Sequence, residues 1–167
     1  HILLMLNGHR VNDPVYEGAY VGQTFPVDIE AIARVEIARG PSSSLYGTNA
    51  FFGVVNVITK TGQDQNGVEV SAEKWSYGAL KGGVNAGVRM ANGLDLAFSG
   101  SMYDSEGQSL YFPEFDNPAT HSGIADGCDY EKAQKFIAQL SFRDFSLQGS
   151  LSSRKKGIPT GAYNTVF

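Results

Sequence analysis

Few residues in this chain offer reactive chemistry, and they are scattered. Between positions 104 and 130 stand six carboxylates, Asp104, Glu106, Glu114, Asp116, Asp126 and Asp129, with no Lys or Arg among them. Hard cations take several carboxylate oxygens, so Asp116, Asp126 and Asp129 are the calcium candidates of a ligand-gripping loop. Their spacing matches no EF-hand, and a solvated acidic loop fits the same residues. His9 and His121 offer imidazoles, but neither sits in a recognisable Tyr/His setting for iron. The Ser42-Ser43-Ser44 run lacks a Gly-x-Ser-x-Gly frame, and no Walker or dinucleotide glycine pattern occurs. Cys128 is the single cysteine, which excludes an internal disulfide framework and a multi-cysteine zinc site. Arg34, Glu36 and Arg39 cluster before Gly40-Pro41, where they read as solvated charge or as ion-pairing groups. No catalytic constellation emerges, so the expectation is a binding protein and not an enzyme.

Composition narrows the class. Lys plus Arg is 13 against 17 Asp plus Glu, a net charge of −4 over 167 residues, which argues against a nucleic-acid partner. Charged residues make up only 18% of the chain and glycines number 20, where soluble domains carry roughly 25% charge and ~7% Gly. No apolar run approaches the ~18 residues of a membrane helix. The chain opens in mid-pattern on His-Ile-Leu-Leu-Met-Leu without an initiator Met, and Ala162 to Phe167 adds no closing element. It is therefore expected to be cut at both ends.

Two grammars meet near residue 62. In 1–62, Ile2 to Leu6 reads as a strand ended by Asn7-Gly8, and Asn12-Asp13-Pro14 as a loop. Asp28 suits an N-cap for a short helix over Ile29 to Arg34, followed by a strand at Val35-Glu36-Ile37. Ser42 to Tyr46 fits one helical turn, and Val54 to Thr59 is the strongest strand, rich in β-branched residues. This is a small α+β unit. From residue 68 the period becomes two. Leu94, Leu96, Phe98 and Met102 alternate with Asp95, Ala97, Ser99 and Ser101. Phe136, Ala138, Leu140 and Phe142 share one face, as do Phe145, Leu147 and Leu151, and Val84, Ala86, Val88 and Met90. With Val68 to Tyr77, where Lys74 breaks the parity, the pattern predicts five strands of about ten residues each.

Strand length and turn pattern carry the membrane reading. Soluble strands usually run about five or six residues, whereas barrel strands that cross a bilayer need about 9–11. Tight turns at Ala91-Asn92-Gly93 and Arg143-Asp144 contrast with the long 104–130 connection, the alternation of outer-membrane barrels. The short Tyr77-Gly78-Ala79 link is an exception, and a soluble sandwich would share the two-residue period. Five strands cannot close in lipid, where an open edge leaves amides and carbonyls unpaired, so the functional chain is expected to continue beyond Phe167.

From Ile32 to Lys60 the sequence Ile-Ala-Arg-Val-Glu-Ile-Ala-Arg-Gly-Pro-Ser-Ser-Ser-Leu-Tyr-Gly-Thr-Asn-Ala-Phe-Phe-Gly-Val-Val-Asn-Val-Ile-Thr-Lys resembles the plug signature of TonB-dependent outer-membrane receptors. That signature runs I-x-R-[IV]-E-V-x-R-G-P-x-S-x-L-Y-G-x-x-A-x-G-G-V-[IV]-N-[IV]-I-T-K. Gly40, Pro41, Tyr46, Gly47, Gly53 and Asn56 fall on its turn positions. Leu4 to Asp13 is similar to the preceding plug strand and turn, with Asn7-Gly8 where Asp-Gly is usual. Phe52 departs from the pattern, standing where the family has the first Gly of a pair.

The resemblance implies an α+β plug portion (1–62) followed by antiparallel transmembrane β-barrel strands (63–167), the first five of an outer-membrane barrel of about 22 strands. It implies an integral protein of the Gram-negative outer membrane that imports a scarce nutrient such as an iron-siderophore, haem or cobalamin, so that the cargo carries iron or cobalt. TonB would act through a segment upstream of residue 1. Ligand would rest on two plug loops, Asn12, Asp13, Tyr16 and Tyr20 on one, Thr48, Asn49 and Phe51 on the other. Tyr and Asn suit a large ligand of mixed polarity. Arg34, Glu36 and Arg39 would be plug–barrel contacts, the arginines pairing with carboxylates of the barrel wall and holding the plug until force arrives. Arg154-Lys155-Lys156, at the outer end of the fifth strand, fits contact with lipopolysaccharide or a solvated strand end. The alternatives are a soluble secreted β-rich binding module and a barrel serving passive diffusion or phage and colicin attachment.

Overall fold

A computed structural model of the chain describes residues 2–41, 43–47 and 49–160. The apolar opening forms β1 (Ile2–Leu6), and Asn7 and Gly8, both at positive φ (49° and 82°), turn it into β2 (His9–Arg10). That left-handed pair is what Asn-Gly accommodates in a two-residue hairpin turn. β3 (Ile32–Arg39) and β4 (Gly53–Thr59) follow, separated by the single turn α1 (Ser43–Tyr46). The sheet order is β2-β1-β4-β3, with β1 parallel to β4 and β3 antiparallel to it. Leu4, Leu6 and Val57 pack with Phe25, Val27 and Ala31 on one face, and Ile137 of the second sheet joins them. Leu3, Met5, Ala50 and Val54 pack on the other.

The helix expected over Ile29 to Arg34 is only a 3-10 turn, Ile29–Ala31, with the Asp28 carboxylate accepting from the Glu30 N–H. The strand expected at Val35–Ile37 takes over from Ile32 instead. Ladder bonds to the β-branched β4 outcompete a helix whose apolar stripe has only Ile29 and Ile32.

α2 (Gly62–Gln65), closed by a Thr61/Asp64 capping box, leads to the second sheet. Its strands are β5 (Gly67–Lys74), β6 (Leu80–Arg89) and β7 (Asp95–Ser105); after a loop come β10 (Glu131–Phe142) and β11 (Phe145–Lys156). Within that loop β8 (Leu110–Tyr111) and β9 (Ile124–Ala125) pair as a small ribbon. The large strands run 8, 10, 11, 12 and 12 residues, each antiparallel to its neighbour, in the order β11-β10-β7-β6-β5. The first stops at Lys74 and not at Tyr77, because the Trp75 N–H turns to the Ala79 carbonyl at 2.9 Å and closes a tight link.

This sheet is inside out relative to a soluble one. Its side toward the first sheet carries buried Lys81, Asn85, Ser101, Ser105 and Lys135. Its other side exposes Val68 (74%), Val70 (76%), Met102 (55%), Leu147 (61%) and Leu151 (68%). No helix among the described residues is long and apolar enough to cross a membrane, which leaves crossing by strands as a separate question.

Candidate functional site

The two loops marked for ligand lie at one end of the first sheet and are tied together. In the amide orientation that satisfies both neighbours, Asn49 donates to Glu17 Oε2 at 2.6 Å and accepts from Arg10 Nη2 at 2.7 Å. Asn49 is buried and holds φ at 77°. Asn12 is also turned inward. Its Oδ1 accepts from the Leu4 N–H at 2.8 Å, and its Nδ2 donates to the Ile2 and Glu17 carbonyls at 3.0 and 3.1 Å. The Asp13 carboxylate accepts from the Val15 and Tyr16 N–H groups, shaping the turn. These polar groups build the loops, while the aromatic groups face out. Tyr16 and Tyr20 are exposed, as are Phe51 and Phe52, whose rings meet edge to face at 4.9 Å. Thr48 lies outside the described residues.

The turn motif closes around Phe52. The Gly40 N–H donates to the Phe52 carbonyl at 3.1 Å, with Gly40 at φ 93° and Gly47 at φ 76°. A Cβ on Gly53 would stand 2.7 Å from the Ala38 carbonyl oxygen, so the β3–β4 approach requires glycine there. Pro41 and Tyr46 are exposed beside it. Asn56 accepts from the Gly8 N–H at 3.0 Å and donates to Glu36 Oε2 at 3.3 Å. Arg34 donates to Glu36 Oε1 at 2.9 Å. Residues two apart in a strand share a face and residues three apart do not, so Arg34 meets Glu36 while Arg39 points to the opposite side. All three are exposed along β3.

In the acidic loop the three candidate carboxylates each have a separate partner. Asp116 accepts from the Tyr111 hydroxyl, Asp126 from the Ser109 hydroxyl, and Asp129 pairs with Lys156 at 2.5 Å. The Lys156 hydrogen bond and the Gln108 N–H hold the Asp129 carboxyl below its ordinary value. Among the described residues no three His, Cys, Asp or Glu side chains converge as a metal site.

The densest polar arrangement lies between the sheets, and the sequence reading missed it. Lys81 Nζ stands 2.8 Å from Asp28 Oδ1, 3.2 Å from Glu73 Oε1 and 3.4 Å from Glu30 Oε1, with the Lys81 and Asp28 side chains only 7% and 9% exposed. The Ser71 hydroxyl donates to Glu30 Oε2 at 2.8 Å, and Lys135 reaches the Gly22 carbonyl at 3.1 Å. Burial pushes the Asp28 carboxyl up, but the hydrogen bond and charge of Lys81, with the Glu30 N–H, outweigh it and hold it low. Glu30 is likewise pushed up by burial and held low by Ser71 and Lys81. Removing one partner from such a buried pair costs roughly 3–5 kcal/mol, because a charge is left uncompensated. The signal available in the sequence was parity: Lys81 and Lys135 are cations on the small, polar face of their strands.

Two neutral contacts complete the seam. Asn7 Nδ2 donates to Gln148 Oε1 at 2.7 Å and to Thr59 Oγ1 at 2.8 Å, and Gln139 also donates to Thr59. At the linker, Asp95 accepts from the Gly62 and Gln63 N–H groups at 2.6 and 3.0 Å.

Known proteins resemble the chain in both its parts. Residues 1–54 match the TonB-dependent Receptor Plug Domain family. Over 153 residues, 92% of its length, the chain is 33% identical to the vitamin B12 transporter BtuB of Vibrio vulnificus (strain CMCP6). Residues 1–54 are thus a plug domain of the TonB-dependent receptor type. The chain spans about a quarter of that relative, 23% of its length. The ferric enterobactin receptor PfeA of Pseudomonas aeruginosa shares the fold with a TM-score of 0.60 at 19% identity, over 92% of this chain and 25% of that one. The siderophore receptor PirA from Acinetobacter baumannii does so with 0.56 at 20%, over 92% and 23%. In this chain the plug match ends inside β4, and the Lys81 cluster joins residues that precede β3 to strands that follow the plug match.

Proposed function

We propose that this chain is the plug-proximal part of an outer-membrane importer, with β5, β6, β7, β10 and β11 as consecutive strands of a barrel of about 22. Residues 1–62 would sit in its lumen and 63–167 would form wall, the remaining strands coming from the rest of the receptor. One observation carries this reading: the long strands bury their polar face against the plug and expose their apolar face. A lumen-facing polar side and a lipid-facing apolar side have that arrangement, whereas a soluble secreted module would need its apolar face covered.

The cargo would be a scarce nutrient such as cobalamin, haem or an iron-siderophore, the iron or cobalt arriving as part of the cargo. Tyr16, Tyr20 and Phe51 would give it flat apolar contact, while Asp13 and Asn49 hold the loops in place. Arg34, with Glu36 beside it, and Arg39 on the other side of β3 would be plug–barrel contacts, the two arginines facing barrel carboxylates. Ligand at these loops would shift the plug, and work delivered by TonB through an upstream segment would open a path past β3, so the function is transport and not catalysis. The test is uptake of labelled cobalamin and ferric siderophores by Gram-negative cells carrying the receptor that contains this chain, with and without functional TonB. Uptake of one of these that vanishes without TonB is the expected result. Uptake of the same size in both strains would contradict active import.

A further inference from the structure

Beside the apolar contact of Ile137 and the Lys135 bond to the Gly22 carbonyl, three sets of polar contacts hold the first sheet and its preceding turn against the second sheet, and they differ in chemistry. The Asn7/Thr59/Gln139/Gln148 amides are neutral. The α2 clamp, with Gly62 and Gln63 N–H groups on Asp95, lies at the covalent link itself. Among the described residues only the third set joins opposite full charges across the seam, and its partners are unevenly divided. Asp28 and Glu30 come from the turn before β3, while Glu73 comes from β5, directly across the ladder from Lys81 on β6.

That division gives Lys81 two states. With the turn docked it has three carboxylates around it. With the turn withdrawn it keeps Glu73, because the Glu73↔Lys81 register pair belongs to the wall sheet and does not depend on the turn. Asp28 likewise keeps the Glu30 N–H that it accepts within its own turn. A buried ion pair is costly to break when a charge is left without a partner. Here withdrawal leaves Lys81 with Glu73 and Asp28 with its own turn's N–H, while Glu30 gives up Ser71 and Lys135 gives up the Gly22 carbonyl. The seam can therefore part at this point at less cost than a simple buried pair would require.

We propose that Lys81 is a reversible latch that holds the 22–31 segment of the plug to the wall, with Glu73 as the partner that receives the lysine when the segment withdraws. The proposal rests on reading the second sheet as barrel wall, and it assigns to that seam a way of opening. Glu73 thus stabilises the open state more than the closed one, which is the opposite of what an added strut would do.

Hydrogen exchange on the full chain in detergent micelles tests the sign directly, read at the Phe25 and Ala31 amides, which bond to Gly22 and Asp28 carbonyls within the segment. Lys81→Met should speed their exchange by roughly 100-fold, as the carboxylates lose their cation. Glu73→Gln should slow it relative to wild type, because the open state loses its partner. Glu73 is partly exposed, with 36% of its side chain accessible, so this variant keeps the test alive should Lys81→Met fail to fold. Faster or unchanged exchange in Glu73→Gln would overturn the latch, as would unchanged exchange in Lys81→Met. A chain that needs no detergent would contradict the membrane reading and leave the exchange result standing as a property of the seam.

Discussion

Asp28 places a buried carboxylate against Lys81, with the Glu30 N–H donating to it and the charge of Lys135 acting on it. Its native value lies below the ordinary 3.8, so the unfolded chain takes up protons first as pH falls. The stabilisation is complete above about pH 5 and is lost as pH drops through the depressed native value. Urea unfolding in detergent of wild type and Asp28→Asn should show a gap of roughly 2–4 kcal/mol at neutral pH, closing below about pH 4. A gap that persists undiminished at about pH 3 would contradict the assignment. None of this was legible in the sequence, because Asp28 read there as an N-cap and its cation lies in a different sheet. Local polarity was legible only in part: Arg34, Glu36 and Arg39 read as one charged cluster, but a strand sends Glu36 and Arg39 to opposite faces and gives Glu36 to Arg34.

At the scale of elements the two-residue period was a reliable guide, since Phe136–Phe142 and Phe145–Arg154 both lie in strands of the β10–β11 hairpin, with Arg143 in the turn between them. Boundaries were harder to read. The link after Lys74 and the takeover of Ile32 by β3 depend on hydrogen bonds to distant residues, which no local pattern records. The linker turn α2 was also invisible, and its tolerance is testable. A Cβ on Gly62 would lie 2.3 Å from the Leu96 carbonyl oxygen and 2.5 Å from that of Val88. Gly62→Ala must therefore push α2 off β6 and β7, and overpacking of this kind costs about 1–3 kcal/mol. Urea unfolding should show that loss, together with faster exchange at the Gln65 and Asn66 amides, which bond back to Thr61 and Gly62. Wild-type stability and exchange would mean that the linker is not clamped.

Taken whole, the molecule joins a small mixed sheet to a larger antiparallel one through a polar seam, and it leaves the larger sheet's apolar side uncovered. The plug signature was readable in the sequence because turn glycines and a β-branched strand recur at fixed spacing; the seam was not, since its partners lie 41 to 141 positions apart. Among the described residues β5 and β11 are the edges of the larger sheet, and unpaired strand edges invite association in water. The central claim is that the apolar side is built for lipid. Size-exclusion chromatography of the chain with and without detergent, with circular dichroism on each eluted peak, addresses it most directly. The account predicts aggregates in plain buffer and, in detergent, a monodisperse β-rich species that melts cooperatively. A monodisperse monomer with a cooperative melt in plain buffer would contradict it.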